Sequence, residues 1–454
     1  MFREVLITCL LAVSMSVHGA LEAPERSYDI LMLLPCASKS HRNVFMPLAT
    51  ALTQRGHKVT MLSALPPADN NPDITYVDHG LKHFDHSDVN MFEATENESE
   101  MFKDFEIIFS ALANEIYGVP TVWELYKNRH KFDLIIINHL FSEVNQLVVP
   151  TSVFHPRPLQ KLFIYPRWDV FLESFYSILT LLNTHFSFGL PVPLLPNQVE
   201  VGGMHLRPAK PLPQDLDSFL SGTTPVVYMS LGSIARSSTI PPDAMNVIIS
   251  VFAKLPYKVI WKYEEELSDI GPHVFIKKWM PQQDILAHPN VKVFISHCGL
   301  LGSQEAIYHQ TPILGLPVFG DQPRNAMAWQ NAGIAIHLQW KTLTEESFRN
   351  AIVELISNPK YQENVKRMSE NFRDQISDPV ERAVYWTEYV IRHHGALHLR
   401  SPAKDLTWTE FLFIDLIILL HVIFVLLFYI LKKALKFCFQ SKNKTYEKRK
   451  NKRE

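Results

Sequence analysis

The sequence predicts an α/β protein of two doubly wound halves followed by one membrane-spanning helix. Three observations predict it. Short, continuous apolar runs alternate with helix-length amphipathic stretches, the pattern of parallel strands buried on both faces. A Pro-rich stretch, residues 190–213, separates two such alternating series. "FLFIDLIILLHVIFVLLFYIL", Phe411–Leu431, is long and apolar enough to cross a bilayer as one helix. With 454 residues, 47% of them hydrophobic and 20% charged, the chain can bury more than one core. A formal net charge of −2 argues against a general nucleic-acid binder.

Taken in order, residues 1–20 read as a secretory signal peptide. Arg3 precedes an apolar run that ends in small residues at Gly19 and Ala20, and the run is short for an anchor. "YDILMLLP" (Tyr28–Pro35) is a buried strand, and "SHRNVFMPLATALTQRGH" (Ser40–His57) a helix stopped at Gly56. "KVTMLSA" and "ITYVDHG" are the next strands, so a parallel sheet begins here. Residues 98–131 look helical, and "FDLIIINH" (Phe132–His139) is another buried strand. From Glu143 to Asn183 the pattern thins to one helix-like stretch, "WDVFLESFYS", and one strand-like stretch, "ILTLLN". The first domain is therefore placed at 21–189 and the linker at 190–213.

After the linker the alternation resumes in a second domain, 214–400. "PVVYMSLGS", "KVIWKY", "VFIKKW", "VKVFISH" and "TPILGLP" are its strands, with "PPDAMNVIISVFAKLP", "QEAIYHQ" and "QPRNAMAWQNAG" as helices. The span at 411–431 and a basic tail, 432–454, complete the chain. Asp415 and His421 within the span read as polar residues near a helix end or against a partner helix. The positive-inside rule puts the tail in the cytosol and the body in the lumen, a single-pass type I arrangement. Lys450 and Lys452 have the spacing of a C-terminal dilysine-type retrieval signal to the endoplasmic reticulum. Asn97-Glu98-Ser99 is a candidate lumenal glycosylation site, whereas Asn443-Lys444-Thr445 would face the cytosol. Only Cys36 and Cys298 lie in the body, too few for a disulfide framework, and no Cys/His group has zinc spacing.

Ligands of open parallel sheets sit at the carboxyl ends of strands. "VKVFISH" ends at His297, a glycine-containing turn follows, and a helix begins near Ser303. That helix start suits a diphosphate, Gly299 and Gly302 allow close approach, and His297 adds a donor. Trp279 offers a flat face to a base, Glu305 can accept from a ribose diol, and Asp321 and Gln322 can read sugar hydroxyls. Each taken singly is more often structural; their joint placement at strand ends favours a site.

The stretch "WMPQQDILAHPNVKVFISHCGLLGSQEAIYHQTPILGLPVFGDQ" resembles the donor-binding signature of the animal UDP-glycosyltransferases, the family that conjugates sugars to small lipophilic molecules. "LTEESFRNAIVELISNPKY", "AVYWTEYVIRHHGALHLR", the span and the basic tail are similar too, and "SHCGLLGSQEAIYH" is closer to insect members. The resemblance implies two Rossmann-like domains facing each other across a cleft, a GT-B arrangement, with the acceptor in the first and the UDP-sugar in the second. It implies Trp279 on uracil and Gln282 beside the nucleoside. His297 and the backbone of Gly302 and Ser303 would hold the diphosphate, with Ser233 of "SLGS" nearby. Glu305 would bind ribose, and Asp321 and Gln322 the sugar. His41 of "SKSHRNVF" would be the catalytic base for an inverting, metal-independent transfer, probing a lipophilic hydroxyl acceptor with no cofactor beyond the UDP-sugar co-substrate.

Two departures stand out. Where the family carries an acidic residue to orient the base, this chain has Asn138, which can orient a ring but cannot offset its charge. The stretch between Asn138 and "NTHFSFG" is shorter than the family's, so the acceptor domain is expected to be truncated by one or two strand–helix units. The competing expectation is a catalytically weak or inactive UDP-sugar-binding membrane protein that associates with full-length relatives, as a homo- or hetero-oligomer. A nicotinamide oxidoreductase is remote, because no G-x-G-x-x-G follows the first strand.

Overall fold

The computed structural model describes residues 21–35, 39–63, 71–81, 90–94, 115–116, 118–138, 161–165, 179–188, 193–233, 235–265, 267, 270–400 and 406–450. The signal peptide, Asn97, Cys36, Lys452 and the helix expected over "WDVFLESFYS" lie outside them. Residues up to Leu399 form one compact unit and residues from Arg400 a second.

The first unit holds two parallel sheets. In the first lobe these are β1 (Asp29–Leu34), β2 (Lys58–Ser63), β3 (Ile74–Val77), β4 (Leu134–Asn138), β5 (Lys161–Tyr165), β6 (Leu179–Leu182) and β7 (Gln198–Glu200). Their spatial order is β3-β2-β1-β4-β5-β6-β7. Helix α1 (Lys39–Gln54) joins β1 to β2, and α2 (Pro120–Asn128) precedes β4. The apolar run of β1 is buried on both faces. Ile30, Met32 and Leu34 meet Val44, Phe45 and Leu48 of α1, while Leu31 and Leu33 turn to Val122 of α2. Gly56 ends the helical segment in a left-handed turn, φ 88°.

Two features of this lobe differ from expectation. The segment 190–213 is more than a linker, because β7 lies inside it and pairs with β6 (Thr180↔Gln198). Three residues between Pro196 and Gly202 suffice for an edge strand, where neighbouring prolines are tolerated. The lobe is also not short of strands: its sheet has seven against six in the second. "KLFIY" supplies β5, which the sequence pattern did not single out. The connections 139–160 and 166–178 hold 22 and 13 residues, the latter near the dozen or so that a parallel crossover needs.

The second lobe is the more regular. It contains α3 (Gln214–Leu220), β8 (Val226–Ser230), α4 (Pro242–Lys254), β9 (Lys258–Lys262), β10 (Val274–Lys277), α5 (Gln282–Leu286) and β11 (Val291–Ser296). These are followed by α6 (Leu300–Tyr308), β12 (Ile313–Gly315), α7 (Gln322–Asn331), β13 (Ala335–His337), α8 (Glu345–Ser357) and α9 (Pro359–Arg373). Strand order is β10-β9-β8-β11-β12-β13. Val227, Met229, Val293 and Ile295 pack with α4 and α8 on one face, and Tyr228 and Phe294 with α6, α7 and α9 on the other.

The last helix of the unit, α10 (Pro379–Arg392), leaves the lobe that the sequence assigned to it. Ala383, Val384, Val390 and Ile391 are buried in the core of the first lobe. Glu388, 2% exposed, accepts from Arg55 Nε at 2.6 Å and lies 3.0 Å from His57 Nε2. A buried carboxylate with these partners ties the chain's return to α1 and β2. In the second unit, α11 (Ile414–Lys450) contains an apolar window, Ile414–Phe437, long enough to cross a membrane.

Candidate functional site

In each lobe the first strand of the sheet sits beside the strand where the order reverses, the position at which open parallel sheets hold their ligands. In the second lobe the pair is β8 and β11, with Ser230 opposite Ser296. Both next loops carry expected site residues: Gly232 and Ser233 after β8, His297 and Gly299 after β11. In the first lobe the pair is β1 and β4, with Leu33 opposite Ile137. Asn138 therefore ends β4 level with Leu34, at the edge from which α1 departs. His41 lies in the first turn of α1 rather than in the loop before it, and is half-buried.

The two lobes touch here. Ser233 Oγ donates to Ser40 Oγ at 3.5 Å, so the residue next to His41 touches the β8 loop of the other lobe. Beside that contact the His297 ring is clasped between two glycine backbones. A Cβ on Gly232 would lie 2.7 Å from His297 Cε1, and one on Gly299 2.5 Å from Nε2. Gly232 also has φ 84°, so only glycine fits there without strain. Burial, assisted by the Lys262 charge, lowers the His297 pKa to about 4, leaving a neutral ring at pH 7. Lys262 itself donates to Gly232 O at 2.8 Å and pairs with Glu264 at 3.0 Å, a half-hidden cation under the loop.

Gly299 is the N-cap of α6, whose first amides open on the same space. Two buried polar atoms here, His297 Nδ1 and Ser303 Oγ, have no hydrogen-bond partner among the described residues. An uncovered helix start, two unpartnered polar atoms and a nearby lysine fit a diphosphate. Cys298 between them adopts φ 63°, the left-handed region, with its thiol buried and its pKa pushed up to about 12 by desolvation.

Glu305 lies one turn into α6. Its Oε2 accepts from Gln282 Nε2 at 2.6 Å and its Oε1 from Gln283 Nε2 at 3.4 Å. Burial raises its pKa to about 7, against the pull of these amides. Gly302 leaves room for Gln282, whose Nε2 would be 3.4 Å from a Cβ there. Gln282 Oε1 accepts from the Tyr228 hydroxyl at 3.2 Å. Each carboxylate oxygen has two lone pairs, so one per oxygen remains for a ligand: the requirement of a vicinal diol. Trp279, beyond β10 and shortly before α5, is 62% exposed, a large indole held at the surface.

Asp321 stands at the N-terminal boundary of α7 and accepts from Asn325 Nδ2 at 2.7 Å; burial raises its pKa. Gln322 is mostly a brace. Its Oε1 accepts from the Val318 and Phe319 amides at 2.8 and 3.1 Å, which leaves only its amide nitrogen for a sugar. Sequence reasoning passed over Asn325, Lys262, Gln283 and His205. Asn325 also donates to Cys298 O at 3.1 Å, tying α7 to the turn after His297. One turn past Asp321, it was findable by helical spacing; His205, far off in sequence, was not.

Comparison with known proteins gives the family and the fold. A family profile described as UDP-glucoronosyl and UDP-glucosyl transferase matches residues 173–450. UDP-glucosyltransferase 2 of Dactylopius coccus is 31% identical over 519 aligned positions, covering 99% of each chain. UDP-glycosyltransferase UGT5 of the same insect is 30% identical, covering 90% of this chain and 93% of that one. Human UDP-glucuronosyltransferase 2B7 is 40% identical but aligns with 64% of this chain and 58% of its own length. Among solved structures, the glycotransferase of kitacinnamycin superposes with a TM-score of 0.60 at 19% identity, over 81% of this chain and 99% of that one. The calicheamicin glycosyltransferase CalG4 gives 0.57 at 18% identity over 81% and 99%. The fold is thus the two-lobed GT-B type. A profile covering more than half of the sequence and an insect relative aligned from end to end place this chain in the UDP-glucoronosyl and UDP-glucosyl transferase family, enzymes that move a sugar from a UDP-sugar to an acceptor.

Proposed function

We propose that the protein is an inverting glucosyltransferase that moves glucose from UDP-glucose to a hydroxyl of a small lipophilic acceptor, with His41 as general base. The observation that carries this reading is the contact between Ser40 and Ser233, which brings the start of α1 against the phosphate end of the crevice. His41 takes the acceptor proton as its oxygen attacks the anomeric carbon from the face opposite UDP. The α6 amides and the neutral His297 ring take up the charge on the departing diphosphate, so the step is complete without a metal. Trp279 stacks on uracil, Glu305 holds the ribose, and Asp321 with the Gln322 amide holds the sugar. The two insect relatives, one named a glucosyltransferase, favour glucose as the sugar. We place the body in the endoplasmic reticulum lumen, anchored by α11 in the membrane, with the basic tail in the cytosol.

The second reading is a weak or inactive donor-binding protein that pairs with longer relatives. It is favoured by Asn138 and by length. The 519 positions aligned with UDP-glucosyltransferase 2 exceed the 454 residues of this chain by 65, so the relative carries at least that many residues this chain lacks. A turnover assay on membrane preparations with UDP-glucose and a panel of phenols separates the two. On the first reading His41→Ala lowers kcat by roughly 10²–10⁴ while the protein stays folded. Asn138→Asp, by giving the His41 cation a counter-charge, raises kcat by about tenfold or more. No product from wild-type protein that binds UDP selects the second reading.

A further inference from the structure

The connection between the lobes ends in a cluster that reaches into the donor site. His205 and Arg207 follow β7 and precede the second lobe. Arg207 pairs with Asp284 through its two terminal guanidinium nitrogens, at 2.6 and 2.8 Å, and Asp284 Oδ1 also accepts from the Lys210 amide at 2.7 Å. Gln283, between Gln282 and Asp284 on α5, spans the gap. Its Oε1 accepts from the Arg207 amide at 3.1 Å, and its Nε2 donates to His205 O at 3.0 Å and faces Glu305 Oε1 at 3.4 Å. Both ends of the Gln283 amide are therefore engaged by the protein.

His205 completes the cluster. Its side chain is 5% exposed, and its Nε2 donates to Leu301 O at 3.3 Å while lying 4.0 Å from Glu305 Oε1. Burial lowers its pKa to about 4, so it faces the carboxylate as a neutral dipole. Its Nδ1 is buried without a partner among the described residues. A group inside the protein with one hydrogen bond to the helix that carries Glu305, and its other nitrogen unpartnered, is held for position and not for charge.

We infer that Gln283 and His205 are positioning residues that fix the Glu305 carboxylate for a ribose diol, and so set the preference for ribonucleotide over 2′-deoxyribonucleotide donors. The inference rests on the proposal that Glu305 holds the ribose. With Oε1 and Oε2 each anchored by one glutamine, the two free lone pairs keep the spacing of vicinal hydroxyls. Loosening Oε1 lets the carboxylate turn, and the 2′-hydroxyl loses its partner while the base and phosphate contacts stay.

The test is calorimetry with UDP and dUDP on the full-length protein in detergent. Wild type is expected to prefer UDP by about tenfold or more, the worth of one hydrogen bond to a charged acceptor. Gln283→Leu and His205→Phe are expected to cut the ratio to within about threefold of unity by weakening UDP and sparing dUDP. In a Glu305→Gln background the same changes are expected to add nothing. An unchanged ratio in either folded variant, or equal weakening of both nucleotides, overturns the inference while leaving the ribose reading of Glu305 intact. A wild type that binds both nucleotides equally overturns the ribose reading and the inference with it. Should Gln283→Leu not fold, His205→Phe decides by the same criteria.

Discussion

The donor crevice is made of residues that each give up something for their position. Glu305 is the clearest. A glutamate in an unfolded chain titrates near 4.5, and in the folded protein burial moves this one to about 7. Between these values the folded state holds a proton that the unfolded state has released, so stability falls as pH rises through the window and the loss is complete above about 7. Glu305→Gln is expected to raise the unfolding free energy at pH 8 by roughly 1–3 kcal/mol and to leave it unchanged at pH 4, read by denaturant titration. Ligand binding runs the other way. A diol donates to the ionised carboxylate, so UDP affinity of wild type should weaken as pH falls below about 7, up to tenfold per unit, while Glu305→Gln is flat. Cys298 is a second case. Its φ of 63° carries a strain of about 1 kcal/mol in a non-glycine residue. Its sulfur fills a notch at Gly315, where a Cβ would approach it to 2.7 Å. The residue identity was plain in the sequence; the left-handed backbone, which depends on how the turn meets β12, was not.

At the scale of elements, the second lobe was legible nearly throughout. Its strands are short apolar runs with Pro or Gly at their ends, and "VKVFISH" and "TPILGLP" contain the β11 and β12 of the structure. The first lobe was legible as far as β4. Beyond that, β5 begins at a lysine after a Pro-containing stretch, and β7 is three residues inside a Pro-rich segment. An edge strand of that length carries no periodicity to read; only its pairing with β6 defines it. Helix α10 was legible as a helix but not as part of the first lobe, because the buried Glu388 reads as a surface residue until Arg55 and His57 are seen against it. These partners hold the Glu388 carboxyl below the usual range despite burial, which pushes the other way. Its contribution is present above pH 4.5 and is lost as pH falls through the lower, folded value. Glu388→Gln should therefore destabilise the first lobe by roughly 2–3 kcal/mol at pH 7 and by much less in acid, measured by melting at both pH values.

At the scale of the molecule, two parallel-sheet lobes lie in one compact unit and touch at Ser40 and Ser233. On the proposed reading each lobe contributes what the other lacks: the second a helix start, an imidazole and a carboxylate, the first a histidine at the start of α1. The sequence singled out these residues as candidates but not the braces Gln283, His205 and Lys262, whose contacts join distant segments. The expected loss of strands is not confirmed: the described residues form a seven-stranded sheet in the first lobe. A chain can shorten its crossovers without losing strands, because the sheet is held by the pairing of the strands themselves. The central claim is that the second lobe takes the nucleotide and the first supplies only the base. Calorimetric titration of UDP into detergent-solubilised wild type, His41→Ala and Glu305→Ala tests it most directly. The account predicts equal affinity for wild type and His41→Ala and a loss of about tenfold or more for Glu305→Ala. Folded wild-type protein that takes up no UDP, or a His41→Ala that loses as much affinity as Glu305→Ala, would contradict it.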